Sequence, residues 1–343
     1  MAGLRVAGLL AGIPPNPVHT AFFSSVCESL TTLGAPAPGT QLYPLRRGIH
    51  LAARFRAKEL GHADIALSES VYEYPALFKR LFRKDLKVVE LFASPKIFRT
   101  LSGAYDPLTR SLMKSLLGEV DGFIAVSRMC RDFLEKHGIS KPCEVAYPFV
   151  DDDKYPMLER SLYDPGADTI VSVGYPPEYK GHDLLLATFD RLCGSHDSLR
   201  LNIITRKLDS RLLRGLKNRG RVSVSHFPDA AGYCRAIAGA SLCVHPGRFD
   251  TFPVSTLESM LAGLPTFVSQ TTGTREVAES VGKEFVLGEG LDAGAEQISR
   301  FLSLPEGKKR ALSGRFRAAA RPFDRKSRVA DFKEKFRSVA SRL

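Results

Sequence analysis

The chain is 343 residues long and 44% hydrophobic, with 49 Lys and Arg against 37 Asp and Glu, a net charge of +12. That length predicts two domains, and the basic excess favours a polyanionic partner: nucleic acid, an acidic membrane surface or a phosphorylated substrate. No apolar run approaches the roughly 18 residues of a membrane helix, and the six cysteines form no C-x-x-C pair, which argues against zinc and for reduced thiols in a cytoplasmic chain.

Residues 4–10 are apolar nearly throughout, as a central parallel strand is. Pro14-Pro15 follows too soon for a signal peptide. A turn-rich loop over 12–17 leads to a helix predicted over 18–33, with Phe22, Val26 and Leu30 on one side. No G-x-G-x-x-G is present, so there is no dinucleotide fingerprint. Residues 46–60 mix Arg46, Arg47, Arg54, Arg56 and Lys58 with apolar positions. After a strand over 63–67, a helix over 72–84 interleaves Lys79, Arg80, Arg83 and Lys84 with Leu77, Phe78, Leu81 and Phe82. Such a helix suits an anionic membrane surface, or equally a domain helix that buries its stripe and solvates its charges. A strand over 86–91 precedes a loop over 92–103 and a helix over 107–117. A strand over 122–126, Ser127 as N-cap, a helix over 128–137 and a strand over 143–147 complete the first half. Residues 151–166 hold three consecutive Asp, read as solvated, with Pro156 and Pro165, and mark a domain boundary.

The second half opens with a strand over 169–173, Gly174, a loop over 175–181 and a helix over 182–193. Lys180 stands just ahead of that helix, a poor place for a cation unless an anion visits. A solvated lysine is the plainer alternative. Arg206 follows a strand over 199–204; Phe227 and Asp229 follow a strand over 222–225, with Asp229 as the cap of a helix over 230–238. Residues 241–269 then read as one βαβ unit: strand 242–244, loop 245–253, and a helix over 254–262 with Leu257, Met260 and Leu261 on one face. Gly263 and Pro265 stop that helix before a strand over 266–268. Ligands of such units lie outside the carboxyl end of the strand, where the helix N-terminus favours an anion such as a diphosphate. Asp250 in the loop and Glu258 one turn into the helix can accept hydrogen bonds from hydroxyls of a flanking sugar and ribose. Either acid alone also fits an ordinary loop or first-turn acid. Helices over 273–281, 292–302, 306–319 and 325–343 follow, the last basic, with Val329, Phe332, Phe336 and Val339 near helical spacing.

The run 249–265, F-D-T-F-P-V-S-T-L-E-S-M-L-A-G-L-P, resembles the signature of the family 4 retaining glycosyltransferases of the GT-B fold, where a loop Glu, seven residues and a helix Glu precede Gly-x-Pro. Here the pair is Asp250 and Glu258; Asp250 is one methylene shorter, Thr251 and Pro253 replace glycines, and Tyr175 stands where the family has an arginine. The resemblance implies an α/β chain of two Rossmann-like domains facing across a cleft, with a C-terminal helix crossing back to the first. It places the acceptor-side domain at 1–150, a linker at 151–168, the donor nucleotide-sugar domain at 169–320 and the returning helix at 321–343. It also implies transfer with retention, no metal, and no cofactor beyond the nucleotide-sugar substrate. Lys180 would offset the diphosphate charge, with Arg206 or Arg248 in place of the missing arginine; Asp250 would hold donor hydroxyls and Glu258 the ribose. Gly174, Phe227, Thr251, Phe252, Val254 and Ser255 complete the expected donor site. The family's histidine has no counterpart near Phe92 or Ala93, and His19 is a remote substitute more readily read as a helix cap. Expected partners are a nucleotide-sugar donor, a glycan or lipid-linked acceptor and an anionic membrane at the inner face of the cell; no motif points to nucleic acid. The rival readings are a non-catalytic GT-B protein that binds anionic lipid or another polyanion, and a nucleotide-sugar epimerase.

Overall fold

The computed structural model describes residues 5–10, 22, 23, 25, 26, 30, 57–226 and 228–343. They form two compact units, Met1–Phe149 with Lys326–Leu343, and Val150–Arg325.

The first unit holds β1 (Val6–Leu10), β2 (Ile65–Glu69), β3 (Lys87–Phe92), β4 (Gly122–Ala125) and β5 (Cys143–Val145), in that spatial order and parallel throughout. β2 and β4 are buried at every position, and β3 at all but its first. Continuous apolar runs of this kind belong to a parallel sheet covered on both faces. Ser127 caps the helix Arg128–Lys136 by accepting from the Cys130 amide at 3.2 Å. Asp106, followed by a first-turn proline, caps Pro107–Leu117. The last helix, Arg325–Ala340, joins this unit: Phe332 meets Phe22 edge-on with ring centres 5.8 Å apart, and Arg342 reaches Glu144 at 2.7 Å. Gly122 is needed there, because a Cβ on it would lie 2.6 Å from Val339 Cγ1.

Two expectations change in this unit. Residues 92–103 are not a loop: Pro95–Ser102 is a helix, started by Ser94 accepting from the Lys96 amide at 3.3 Å and ended by Gly103 at φ +83°. The helix Glu73–Phe82 spends its charges inside the unit, Lys79 on Asp121 at 2.6 Å and Arg80 on Glu119 at 3.0 Å, while Arg83 just beyond it pairs with Asp85 at 2.6 Å. Leu81 and Phe82 remain 50% and 61% exposed. The expectations for 12–17, His19 and 46–56 lie outside the described residues.

The second unit holds β6 (Thr169–Val173), β7 (Arg200–Ile204), β8 (Val222–Ser225), β9 (Leu242–His245) and β10 (Thr266–Val268), ordered β10-β9-β6-β7-β8 and again parallel. From β6 the chain adds β7 and β8 on one side, then returns to add β9 and β10 on the other. The topological switch point therefore lies between β6 and β9, which is where an open α/β sheet leaves its ligand crevice. The stretch over 151–168 contributes a short helix, Tyr155–Glu159, with Leu158 buried. Asp151 is not solvated as its run of acids suggested. Burial pushes its carboxyl up to about 6 despite Lys154, whose amine lies 3.5 Å away. No helix among the described residues is long and apolar enough to cross a membrane.

Candidate active site

β6 is followed by Gly174, whose φ of +149° favours glycine. The absence of a side chain also makes room for a neighbour, since a Cβ there would sit 2.8 Å from the aliphatic stem of Lys180. The short helix Pro177–Lys180 carries that lysine back over the strand end. Its Nζ donates to Asp250 Oδ2. The same oxygen accepts from Nε2 of His245, the last residue of β9, at 2.9 Å. Lys180, Asp250 and His245 thus converge on one oxygen at the switch point.

The loop after β9 is clamped to the segment bearing Lys180. The Arg248 amide donates to Tyr179 O at 2.9 Å, and the Arg248 guanidinium forms two parallel bonds to Asp183, at 2.8 and 2.5 Å. Gly181, at φ +66°, passes so close to Pro246 that a Cβ would lie 2.1 Å from its carbonyl oxygen. From the other side, Ser269 and Thr271 hydroxyls donate to Gly247 O at 2.5 and 2.8 Å. The Asp250 amide and carbonyl bond Thr271 and Gly273 at 3.1 and 2.8 Å.

Burial alone would raise the Asp250 carboxyl, but the Lys180 charge and the His245 hydrogen bond outweigh it and hold it well below the usual carboxylate range. Burial lowers His245, more than the carboxylate beside it raises it. His182, fully buried at the start of His182–Leu192, is pushed down to about 4 by burial and by its cationic neighbours. Neither of its ring nitrogens has a hydrogen-bond partner among the described residues.

Glu258 belongs to a neighbouring cluster. Its Oε1 receives Lys154 Nζ at 2.9 Å and its Oε2 receives the Tyr233 hydroxyl at 2.5 Å. The structure therefore joins Lys180 to Asp250 and joins Glu258 to Lys154 and Tyr233. The helix Val254–Leu261 starts at Pro253 with no side-chain cap; Thr256 Oγ1 instead donates to Pro253 O at 2.7 Å. Thr251, Phe252 and Val254 are buried, Phe252 against Phe323 with ring centres 5.9 Å apart. Ser255 is half-buried, Arg206 is exposed two residues beyond β7, and Phe227 lies outside the described residues. Sequence reasoning missed His245, His182, Lys154 and Tyr233. A histidine closing an apolar strand was the one available signal for His245. Among the described residues no group of three or more His, Cys, Asp or Glu is placed to hold a metal ion.

Two family models match the chain: "Glycosyl transferases group 1" over residues 167–303 and "Glycosyltransferase Family 4" over 22–154. No curated protein matches it by sequence. Among solved structures it is similar to sucrose-phosphate synthase from Thermosynechococcus elongatus, with a TM-score of 0.70 and 14% identity over 98% of this chain and 99% of that one. It is also similar to a UDP-forming α,α-trehalose-phosphate synthase from Burkholderia xenovorans, with a TM-score of 0.62 and 17% identity over 88% and 81% of the two chains. A third likeness is to an E. coli structure described as trehalose-6-phosphate bound with UDP-2-fluoro glucose, with a TM-score of 0.66 and 12% identity over 96% and 98%. Two parallel five-stranded sheets in separate units, a last helix that returns to the first unit, and family matches covering both units show that the chain belongs to the family 4, group 1 glycosyltransferases of the GT-B fold.

Proposed function

We propose that the protein transfers a glycosyl group from a nucleoside-diphosphate sugar to an acceptor hydroxyl, with retention of configuration and without a metal. The second unit binds the donor and the first recognises the acceptor. The observation that carries this reading is the meeting of Lys180, Asp250 and His245 at the switch point of the second sheet. As the bond from the anomeric carbon to phosphate oxygen breaks, its electron pair leaves on the diphosphate. Lys180 and the N-terminal end of Val254–Leu261, which has no side-chain cap, then stabilise the growing negative charge, with Arg206 at the neighbouring strand end. Asp250, whose Oδ2 takes Lys180 and His245, accepts from donor sugar hydroxyls through Oδ1, and Glu258 accepts from the ribose, each of its oxygens having one donor and lone-pair capacity for a second. Gly174, Thr251, Phe252, Val254 and Ser255 shape the floor of this site. A nucleoside-diphosphate donor is supported by two structural neighbours, one UDP-forming and one bound with UDP-2-fluoro glucose.

Incubation with UDP-, GDP- and ADP-sugars and a panel of glycan and lipid-linked acceptors, read by nucleotide release and product mass, tests the reading. Lys180→Ala should lower turnover about 10²- to 10³-fold, the scale of losing one preorganised electrostatic contact. Unchanged turnover would remove Lys180 from the site. A lipid-linked acceptor at an anionic membrane is supported by Leu81 and Phe82, exposed where the helix Glu73–Phe82 ends. Co-sedimentation with phosphatidylglycerol vesicles should weaken in a Leu81→Ser, Phe82→Ser variant. Equal sedimentation of both proteins speaks for a soluble acceptor.

A further inference from the structure

Lys180 is engaged within the protein itself: its ammonium sits on Asp250. The ammonium has three N–H groups, and a diphosphate that draws it away from Asp250 leaves an enclosed carboxylate that is costly to keep without a positive partner. The other donor on Asp250 Oδ2 is His245, whose side chain is buried to 1%. An ionised carboxylate only accepts, so Nε2 of His245 carries a proton and a further proton would enter at Nδ1.

We propose that His245 is a positioning residue that replaces Lys180 as the cationic partner of Asp250: when a nucleoside diphosphate draws Lys180 onto its phosphate oxygens, His245 takes a proton from solvent, so that donor binding is coupled to uptake of up to one proton. The inference rests on the donor assignment above. Every change on binding pushes the imidazole the same way. Lys180, whose charge opposes protonation of His245, moves toward the phosphates. Asp250 loses its other cation, and a polyanion arrives beside the pair. The groups that face His245 are Asp250 from its own loop, Lys180 from the end of Pro177–Lys180, and His182 from the start of the next helix. His245 touches the carboxylate that loses its cation, whereas both ring nitrogens of His182 are without a hydrogen-bond partner among the described residues and burial pushes its imidazole down, so the proton goes to His245 and not to its neighbour.

Calorimetric titration of the full chain with UDP-glucose, GDP-mannose and ADP-glucose at pH 7.5, in PIPES, HEPES and Tris, tests this. These donors have no phosphate that titrates near neutrality. The slope of apparent binding enthalpy against buffer ionisation enthalpy counts the protons taken up. The expected slope lies between zero and one, with uptake. In the window where uptake is complete the affinity should fall about tenfold per pH unit of increase. His245→Gln keeps an N–H for Asp250 but cannot ionise; it should bind the same donor with no slope and no pH dependence. Binding by the unaltered protein with zero slope overturns the inference and leaves the donor assignment standing, as does an unchanged slope in His245→Gln. Failure of every donor to bind overturns the donor assignment itself.

Discussion

At the scale of single residues, the site depends on two glycines and two histidines as much as on its charged groups. Gly181 approaches Pro246 at a distance no side chain permits and holds a positive φ. Gly181→Ala should therefore lower stability by at least about 2 kcal/mol, combining left-handed strain with a backbone clash. It should also weaken donor binding, because the same contact seats Lys180 against Asp250; a urea melt and a nucleotide titration read the two effects. The residue-level chemistry was half legible in the sequence. Lys180 stood out because a cation beside a helix start implies an anionic ligand, whereas Asp250 and Glu258 stood out as a pair, through their place in one βαβ unit and the family signature, since either acid alone fits an ordinary loop or first-turn position. His245 did not, because a lone histidine at the end of an apolar strand reads as core until its Asp250 contact is seen. Lys154 was hidden in an acidic stretch that looked like solvated linker, and only the fold brings it 104 positions along the chain to Glu258.

At the scale of elements, local signals carried most of the reading. Asp229 caps its helix by accepting from the Gly232 amide at 2.7 Å, and Gly263 ends Val254–Leu261 at φ +86°, both as their positions imply. The parallel strands were recognisable because burial on both faces leaves no polar alternation. The helix Pro95–Ser102 was missed although Ser94-Pro95 is a fair start signal, because an eight-residue helix with three buried positions shows too little periodicity. Ser94→Ala removes its only side-chain cap and should cost about 1 kcal/mol, measurable by chemical denaturation. Gly122→Val should do more: its side chain would occupy the space of Val339 and lift the last helix from β4, lowering the melting temperature and exposing Phe332 to solvent.

At the scale of the whole molecule, two buried carboxyls pull stability in opposite directions with pH. Burial pushes Glu69 from 4.5 up to about 8. Its neutral form belongs to the folded state, so its contribution is fully present below 4.5 and is lost as pH rises through about 8. Asp250 is held below its ordinary 3.8, so its contribution is present above that value and is lost as pH falls. Thermal melts from pH 5 to 9 should show stability declining toward the alkaline end, and Glu69→Gln should flatten that decline. An unaltered decline in Glu69→Gln would assign it elsewhere. Two cations of the helix Glu73–Phe82, Lys79 and Arg80, are paired with Asp121 and Glu119, so that helix presents less free positive charge than its sequence suggests, while the excess of +12 over the whole chain stands.

The central claim is that a donor diphosphate docks on Lys180 at the switch point of the second sheet. A thermal-shift titration of UDP, GDP and ADP, with the full chain and with Lys180→Ala, tests it most directly. A bound nucleotide at one hundred times its Kd stabilises the folded protein by about 2.7 kcal/mol. The account predicts that one of the three raises the melting temperature of the unaltered protein by several degrees and leaves Lys180→Ala nearly unmoved. Equal shifts in both proteins, or no shift with any nucleotide, would contradict it.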